Sequence, residues 1–153
     1  MNRHYSRAAT TALFVGLALT ILTTVCVFVS STAIGEHIQA GYPHYSRAQI
    51  SAAVSFYTVY LIALGTLGAI VWCFVLWLVR RRRAWAYPLA IIFFLVGTSF
   101  GLFNLLIRDT SGDTALPEAI GEMGLLPSVA GLIAIVLMWK HVNPGKQQTR
   151  SKV

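Results

Sequence analysis

The sequence predicts an all-α integral membrane protein, a four-helix bundle with both termini in the cytoplasm. Three observations predict it. The 153-residue chain is 56% hydrophobic and 11% charged, with a mean hydropathy of +0.67; a soluble domain would carry about a quarter charged residues. Four stretches are each long enough to cross about 30 Å of hydrocarbon, which takes roughly 20 predominantly apolar residues. Finally, ten of the twelve basic residues fall in segments that four spans place on one side.

The expected organisation is one domain over residues 1–153, with spans at approximately 8–34, 48–79, 84–107 and 117–139 and a short basic tail at 140–153. The first span carries no charge. Arg3 and Arg7 precede it, as in a secretory leader, but its apolar run is too long and no small-x-small cleavage site follows. A retained helix is expected. The second span opens at Ser46 and Gln49, whose S-x-x-Q spacing predicts a capping box. The pentapeptide HYSRA at His4–Ala8 recurs at His44–Ala48, but the sequences diverge after each copy, so the repeat reads as coincidence plus capping. The third span carries Gly97-x-x-x-Gly101, with Asn104 and Arg108 continuing that face. The fourth has Gly121, Gly124, Ser128 and Gly131 on one stripe and Pro127 within it. Small residues let membrane helices approach closely, so helices two, three and four are expected to pack through these glycines and through Gly65 and Gly68. Proline removes a backbone donor, so the last span should be kinked or locally unwound near Met123.

Charge sets the orientation. Arg80, Arg81, Arg82 and Arg83 follow the second span, Arg3 and Arg7 precede the first, and the tail holds four more basic residues. Lys and Arg mark the cytoplasmic side. Trp77, Trp85, Tyr87 and Trp139 fall at the inner interface, where amphipathic rings prefer to lie. The location expected is therefore a plasma membrane of bacterial inner-membrane type. The four arginines read first as a topology signal and second as a contact for anionic lipids. The bilayer is the expected partner, with a membrane-protein partner or self-association as further options and no nucleic acid.

All five acidic residues fall on the other side, four of them in RDTSGDTALPEAIGE, residues 108–122. Asp109 to Thr114 reads as a turn, Pro117 suits a first helical turn, and Glu118 complements the dipole there. Glu122 lies at or just below the expected outer boundary of the hydrocarbon, four residues from Glu118 on the same face. A carboxylate at that depth is costly unless paired. One reading is an ion pair with Arg108 that closes the bundle. The other is an outward-facing polar site lined by Tyr57, Tyr60, Asn104, Arg108, Glu118 and Glu122, suited to a cation, a proton or an amphiphile. Cys26 and Cys73 lie in apolar runs and form no CxxC pair. His37 and His44 read as solvated loop residues, and no histidine lies in a span to ligate haem. No metal site and no cofactor are expected.

The stretches YPHYSRAQI, RDTSGDT and GLLPSVAGL together resemble a group of small bacterial four-pass integral membrane proteins. The resemblance covers most of the chain and implies the fold; that group carries no established activity, so it implies no catalytic residue. Small multidrug exporters match in size but need a carboxylate in the first helix, and claudin-like proteins need outer-loop cysteines. Two function classes follow. The expected one is a non-enzymatic membrane module: small-molecule-binding, transport-related or accessory. The alternative is a membrane-embedded isomerase or cyclase acting on a lipid or isoprenoid-like substrate, in which Glu122, Glu118 and Asp109 serve as acid and base.

Overall fold

The computed structural model describes residues 6–108 and 114–142. Within them are five helices and no strand: α1 (Arg7–Val29), α2 (Ser31–Gly41), α3 (Arg47–Arg80), α4 (Ala86–Leu106) and α5 (Glu118–Val142). Four of these, all but α2, are long and apolar enough to cross a membrane, as expected of a membrane protein. Their outer surfaces suit lipid and not water: Val29 is 80% exposed, Phe56 69% and Leu106 68%. Apolar exposure on this scale would drive aggregation of a soluble protein.

Local chemistry sets the helix ends. Ser6 Oγ accepts the Ala9 N–H at 3.1 Å and caps α1. The capping box predicted for α3 is present: Ser46 Oγ accepts from Gln49 N at 3.3 Å, and Gln49 Oε1 accepts from Ser46 N at 2.8 Å. Both HYSRA copies thus use their serine as a cap, and only the second has the reciprocal partner. At its other end α3 closes with a Schellman motif. Arg82 N–H donates to Val79 O at 3.0 Å and Arg83 N–H to Leu78 O at 3.1 Å. This places Arg82 in the left-handed region, at φ 52°, where glycine is the usual occupant. Pro88 sits in the first turn of α4, where the missing N–H would have no helical partner in any case.

The first span ends earlier than expected. The apolar run to Ile34 is broken at Ser30, whose N–H is shared between Cys26 O and Val27 O and whose Oγ donates to Cys26 O at 2.8 Å. This back-bonding tightens the last turn, and the chain restarts as α2. Ile34 and Ile38 turn inward on α2, and Gly35 faces Val54 of α3. At 34 residues, or about 51 Å, α3 is longer than a span requires, and α2 packs along it.

Successive spans run antiparallel. On α1 and α3, Gly16 faces Trp72, Thr20 faces Gly68 and Thr24 faces Gly65. On α4 and α5, Gly101 faces Leu125, Leu105 faces Gly121 and Phe94 faces Gly131. The most extensive packing joins α1 to α5, then α1 to α3 and α4 to α5; α3 and α4 share the thinnest interface of the four. The core lies at the arginine-rich end. There Ala9 and Leu13, Val75, Leu76, Leu78 and Val79, Ala86 and Ala90, and Ala134 and Met138 form one buried cluster. Phe74 and Phe93 meet edge to face nearby, with centroids 6.4 Å apart. Farther from that end the α3 and α4 flanks separate.

Candidate functional site

The separation leaves a cavity of about 280 Å³ lined by α1, α3, α4 and α5 together with Ser30 and Leu116. Its inner end rests on the core layer of Leu13, Val75, Ala90 and Ala134. Its outer end is lined by Ser30, Asn104, Leu116 and Ile120. Among the described residues, none that lines it carries a formal charge.

Along α1 the cavity is chemically quiet because the polar atoms there, and the Trp72 indole facing them, are already engaged. Trp72 Nε1–H donates to Thr20 Oγ1 at 2.9 Å, and Thr20 Oγ1–H donates to Gly16 O at 2.9 Å. Thr23 and Thr24 both donate to Thr20 O, at 3.0 and 2.7 Å. Such back-bonding satisfies a hydroxyl within its own helix. The indole is also fixed by shape. A Cβ at Gly16 would collide with Trp72 Cζ2 and Cη2, and one at Gly131 would lie 3.6 Å from Cη2. Two glycines on two helices therefore make the space the ring occupies, and the Thr20 bond sets its direction.

The α4 and α5 side keeps polar capacity in hand. Asn104 uses one N–H on Phe100 O at 3.0 Å, leaving its amide oxygen and second N–H. Ser128 Oγ has no hydrogen-bond partner among the described residues. Pro127 lies inside α5 without ending it and deprives the Met123 carbonyl of its usual donor; both residues line the cavity.

Of the residues expected at a polar site, the cavity takes in Asn104 alone. Tyr57 and Tyr60 are half-buried on α3 outside the lining, while Arg108, Glu118 and Glu122 are exposed. No ion pair joins Arg108 to Glu122 among the described residues. Arg108 instead forms an isolated antiparallel bridge with Thr114, next to a bond from Ala115 N–H to Ile107 O at 3.0 Å. Asp109 and Asp113 lie outside the described residues. The chain matches no protein-family model, no curated protein and no solved structure. The resemblance to small four-pass proteins therefore rests on its three motifs alone.

Two glycines expected to pack closely do something else. A Cβ at Gly97 or Gly124 would meet nothing within 4 Å, and both residues line the cavity. Gly101 and Gly121 are the close-packing pair, lying against Leu125 and Leu105. Sequence reasoning missed the Thr20–Trp72 pair, although a signal was present: Gly16, Thr20 and Thr24 form a small residue every fourth position along α1. It also missed His37, expected in solvent, whose Nε2 lies 2.6 Å from Thr114 O. A carbonyl can only accept, so that ring nitrogen carries its proton. The bond ties α2 to the approach to α5. Among the described residues no group of three His, Cys, Asp or Glu side chains could hold a metal ion.

Proposed function

We propose that this protein is a non-enzymatic module of the plasma membrane, a single-domain four-helix bundle with both termini cytoplasmic, that holds an apolar or amphiphilic small molecule between its helices. It would act as a binding, transport-related or accessory component. The observation that carries this reading is the cavity, whose described lining residues are all uncharged and whose volume of about 280 Å³ stands at the lower edge of the roughly 300–1,000 Å³ typical of small-molecule sites. Apolar walls with a few convergent polar groups are the usual composition of such sites. The shared core at one end of the spans supports a single domain.

Orientation is supported by Arg80 to Arg83, all exposed beside exposed Trp77 and Trp85. Arg80 lies over the Phe14 ring at 5.3 Å and Arg81 over Trp77 at 5.7 Å. Arginines so placed would meet anionic headgroups of the inner leaflet. The acid–base enzyme has no observation in its favour, because Glu118 and Glu122 do not line the cavity.

The test uses Gly97, which lines the cavity and has open space for a side chain. Protein purified from native membranes should carry a small molecule detectable by mass spectrometry, and Gly97→Phe should lose it while keeping the thermal stability of the parent. An equally loaded Gly97→Phe variant, or a parent with no bound molecule and no saturable uptake of any lipid-like probe, would remove the proposal. Co-purification of a stoichiometric protein would instead favour the accessory role.

A further inference from the structure

The cavity has an opening on the side of α3 and α4. Leu67 of α3 lines it and is 57% exposed; Val96 and Phe100 of α4 line it and are 50% and 47% exposed. Gly97, beside Val96, is exposed as well. Phe94, Gly101 and Leu105 turn toward α5, and Phe93, Gly97 and Phe100 lie on the α3 side of the same helix. The edge-to-face contact of Phe74 with Phe93 closes the two flanks and sets their register. Counting away from it along the antiparallel pair, Val71 comes level with Val96 and Leu67 with Phe100. Leu67 and Phe100 are therefore the lips of a slit whose floor is the Phe74–Phe93 contact.

Depth decides what meets the slit. Phe74 is six residues from Arg80 and Phe93 eight from Trp85. At about 1.5 Å per residue this puts the floor about 9–12 Å from the arginine-rich end. Leu67 is 13 residues from Arg80 and Phe100 15 from Trp85, or about 20–22 Å by the same rise. The hydrocarbon is about 30 Å thick, so the lips stand beyond its midplane, in the half away from the arginines. A slit at that depth faces lipid chains and not water. Left unfilled, its walls would lack dispersion partners. A chain that enters exchanges one apolar surrounding for another and desolvates no polar group of its own. Only the ordering of the chain opposes entry.

We infer that the cavity is filled sideways, by a hydrocarbon chain of a lipid from the leaflet away from the arginines, entering between Leu67 and Phe100. In the proposed orientation that is the outer leaflet. The inference rests on the reading of the cavity as a binding site and adds the class of its occupant and the route it takes.

The test uses full-length protein in vesicles whose external leaflet alone carries a diacyl phospholipid with a diazirine at the end of one acyl chain. Light expels dinitrogen and inserts that carbon into a bond it touches; mass spectrometry of the peptides locates the adduct. Orientation is read in the same sample. All three lysines follow Trp139, and Lys140 is exposed at the arginine-rich end. A membrane-impermeant, amine-reactive biotin therefore tags only molecules that turn that end outward. Untagged molecules should carry adducts on Thr20 and Gly131, which line the cavity and are buried. Tagged molecules should carry adducts on lipid-facing side chains alone. Gly97→Phe should lose the interior adducts and keep the lipid-facing ones. Leu67→Trp narrows the slit at an exposed position, away from the core, and should lower the interior adducts. Interior adducts at equal yield in both populations, or unchanged by Leu67→Trp, would overturn the inference. So would protection of Leu67 and Phe100 from labelling, the sign of a second copy seated over the slit. No interior adduct, in protein that still carries a small molecule lost in Gly97→Phe, would overturn the route and leave the cavity as a binding site. No interior adduct and no bound molecule would remove both.

Discussion

Gly16→Ala tests the packing that fixes the indole. Two effects oppose each other. Alanine in a helix interior is favoured over glycine by up to about 1 kcal/mol. Against this, the three nearest atoms to the new Cβ would all belong to the Trp72 ring, with Cζ3 at 2.9 Å and Cζ2 and Cη2 closer still. The ring cannot swing clear without stretching its bond to Thr20 or pressing on Gly131. Overpacking of this kind costs about 1–3 kcal/mol, and an interhelical hydrogen bond in a membrane is worth about 0.6 kcal/mol on average. The clash should win, with a net loss of about 1–2 kcal/mol. In a Trp72→Leu background the clashing atoms are gone, so Gly16→Ala should be neutral or stabilising. The two backgrounds should therefore differ by about 1–3 kcal/mol, within the range for residues in contact. Denaturant unfolding in mixed micelles, followed by circular dichroism, measures all four variants. Gly16→Ala that stabilises equally in both backgrounds would refute the placement of the ring.

Four further outcomes are expected of the same assay. Gly121→Ala should destabilise, because its Cβ would lie 3.1 Å from the Leu105 Cα, backbone that cannot turn aside, whereas Gly97→Ala meets open space and should gain up to about 1 kcal/mol. Thr20→Val should cost about 1–3 kcal/mol by leaving the Trp72 N–H unpaired, while Thr58→Val should be neutral or stabilising, since Thr58 Oγ1 is already buried without a partner. Arg82→Gly should stabilise by up to about 1 kcal/mol by relieving the left-handed backbone; a loss instead would mean that the side chain's own contacts outweigh the strain. Glu122→Gln and Arg108→Gln should add within about 0.5 kcal/mol, as independent sites do, and a larger coupling would restore the ion pair.

The spans were legible in the sequence because membrane helices announce themselves by length and apolarity alone. The α3 cap was legible too, since S-x-x-Q carries its own geometry. The break at Ser30 was not, because serine is ordinary within a membrane helix and the break comes from local back-bonding. Helix α2 turns only Ile34 and Ile38 inward and lies between polar residues, so it has no long apolar signature. The glycine stripes marked packing faces but not their partners: spans two, three and four were expected to pack together, whereas Gly65 and Gly68 of α3 lie against Thr24 and Thr20 of α1. Nor does a stripe say which glycines touch and which leave a gap. Gly101 and Gly121 touch; Gly97 and Gly124 border the cavity. For Glu122, depth counting suggested a buried charge, but helix rotation decides exposure, and counting residues along one axis does not specify rotation.

The cavity persists for a reason particular to lipid. In water, a gap between α3 and α4 would close, because apolar surface leaves the solvent on contact. In a bilayer the helix faces are already solvated by hydrocarbon, so helices meet only where shape or polar bonding rewards it. In this protein the glycine contacts described above join two pairs, and the pairs meet over the most extensive interface, α1 against α5. Helices α1 and α3 are joined by Gly65 against Thr24, Gly68 against Thr20, and the Trp72–Thr20 bond. Helices α4 and α5 are joined through Gly101 and Gly121. The pairs meet along α1 and α5 and at the arginine-rich end, and the α3 and α4 flanks above that end have no comparable reward for closing. A molecule occupying the gap therefore displaces lipid rather than a helix contact. Binding should leave the close contacts of both pairs intact, and any change in shape should fall on the separation between α3 and α4.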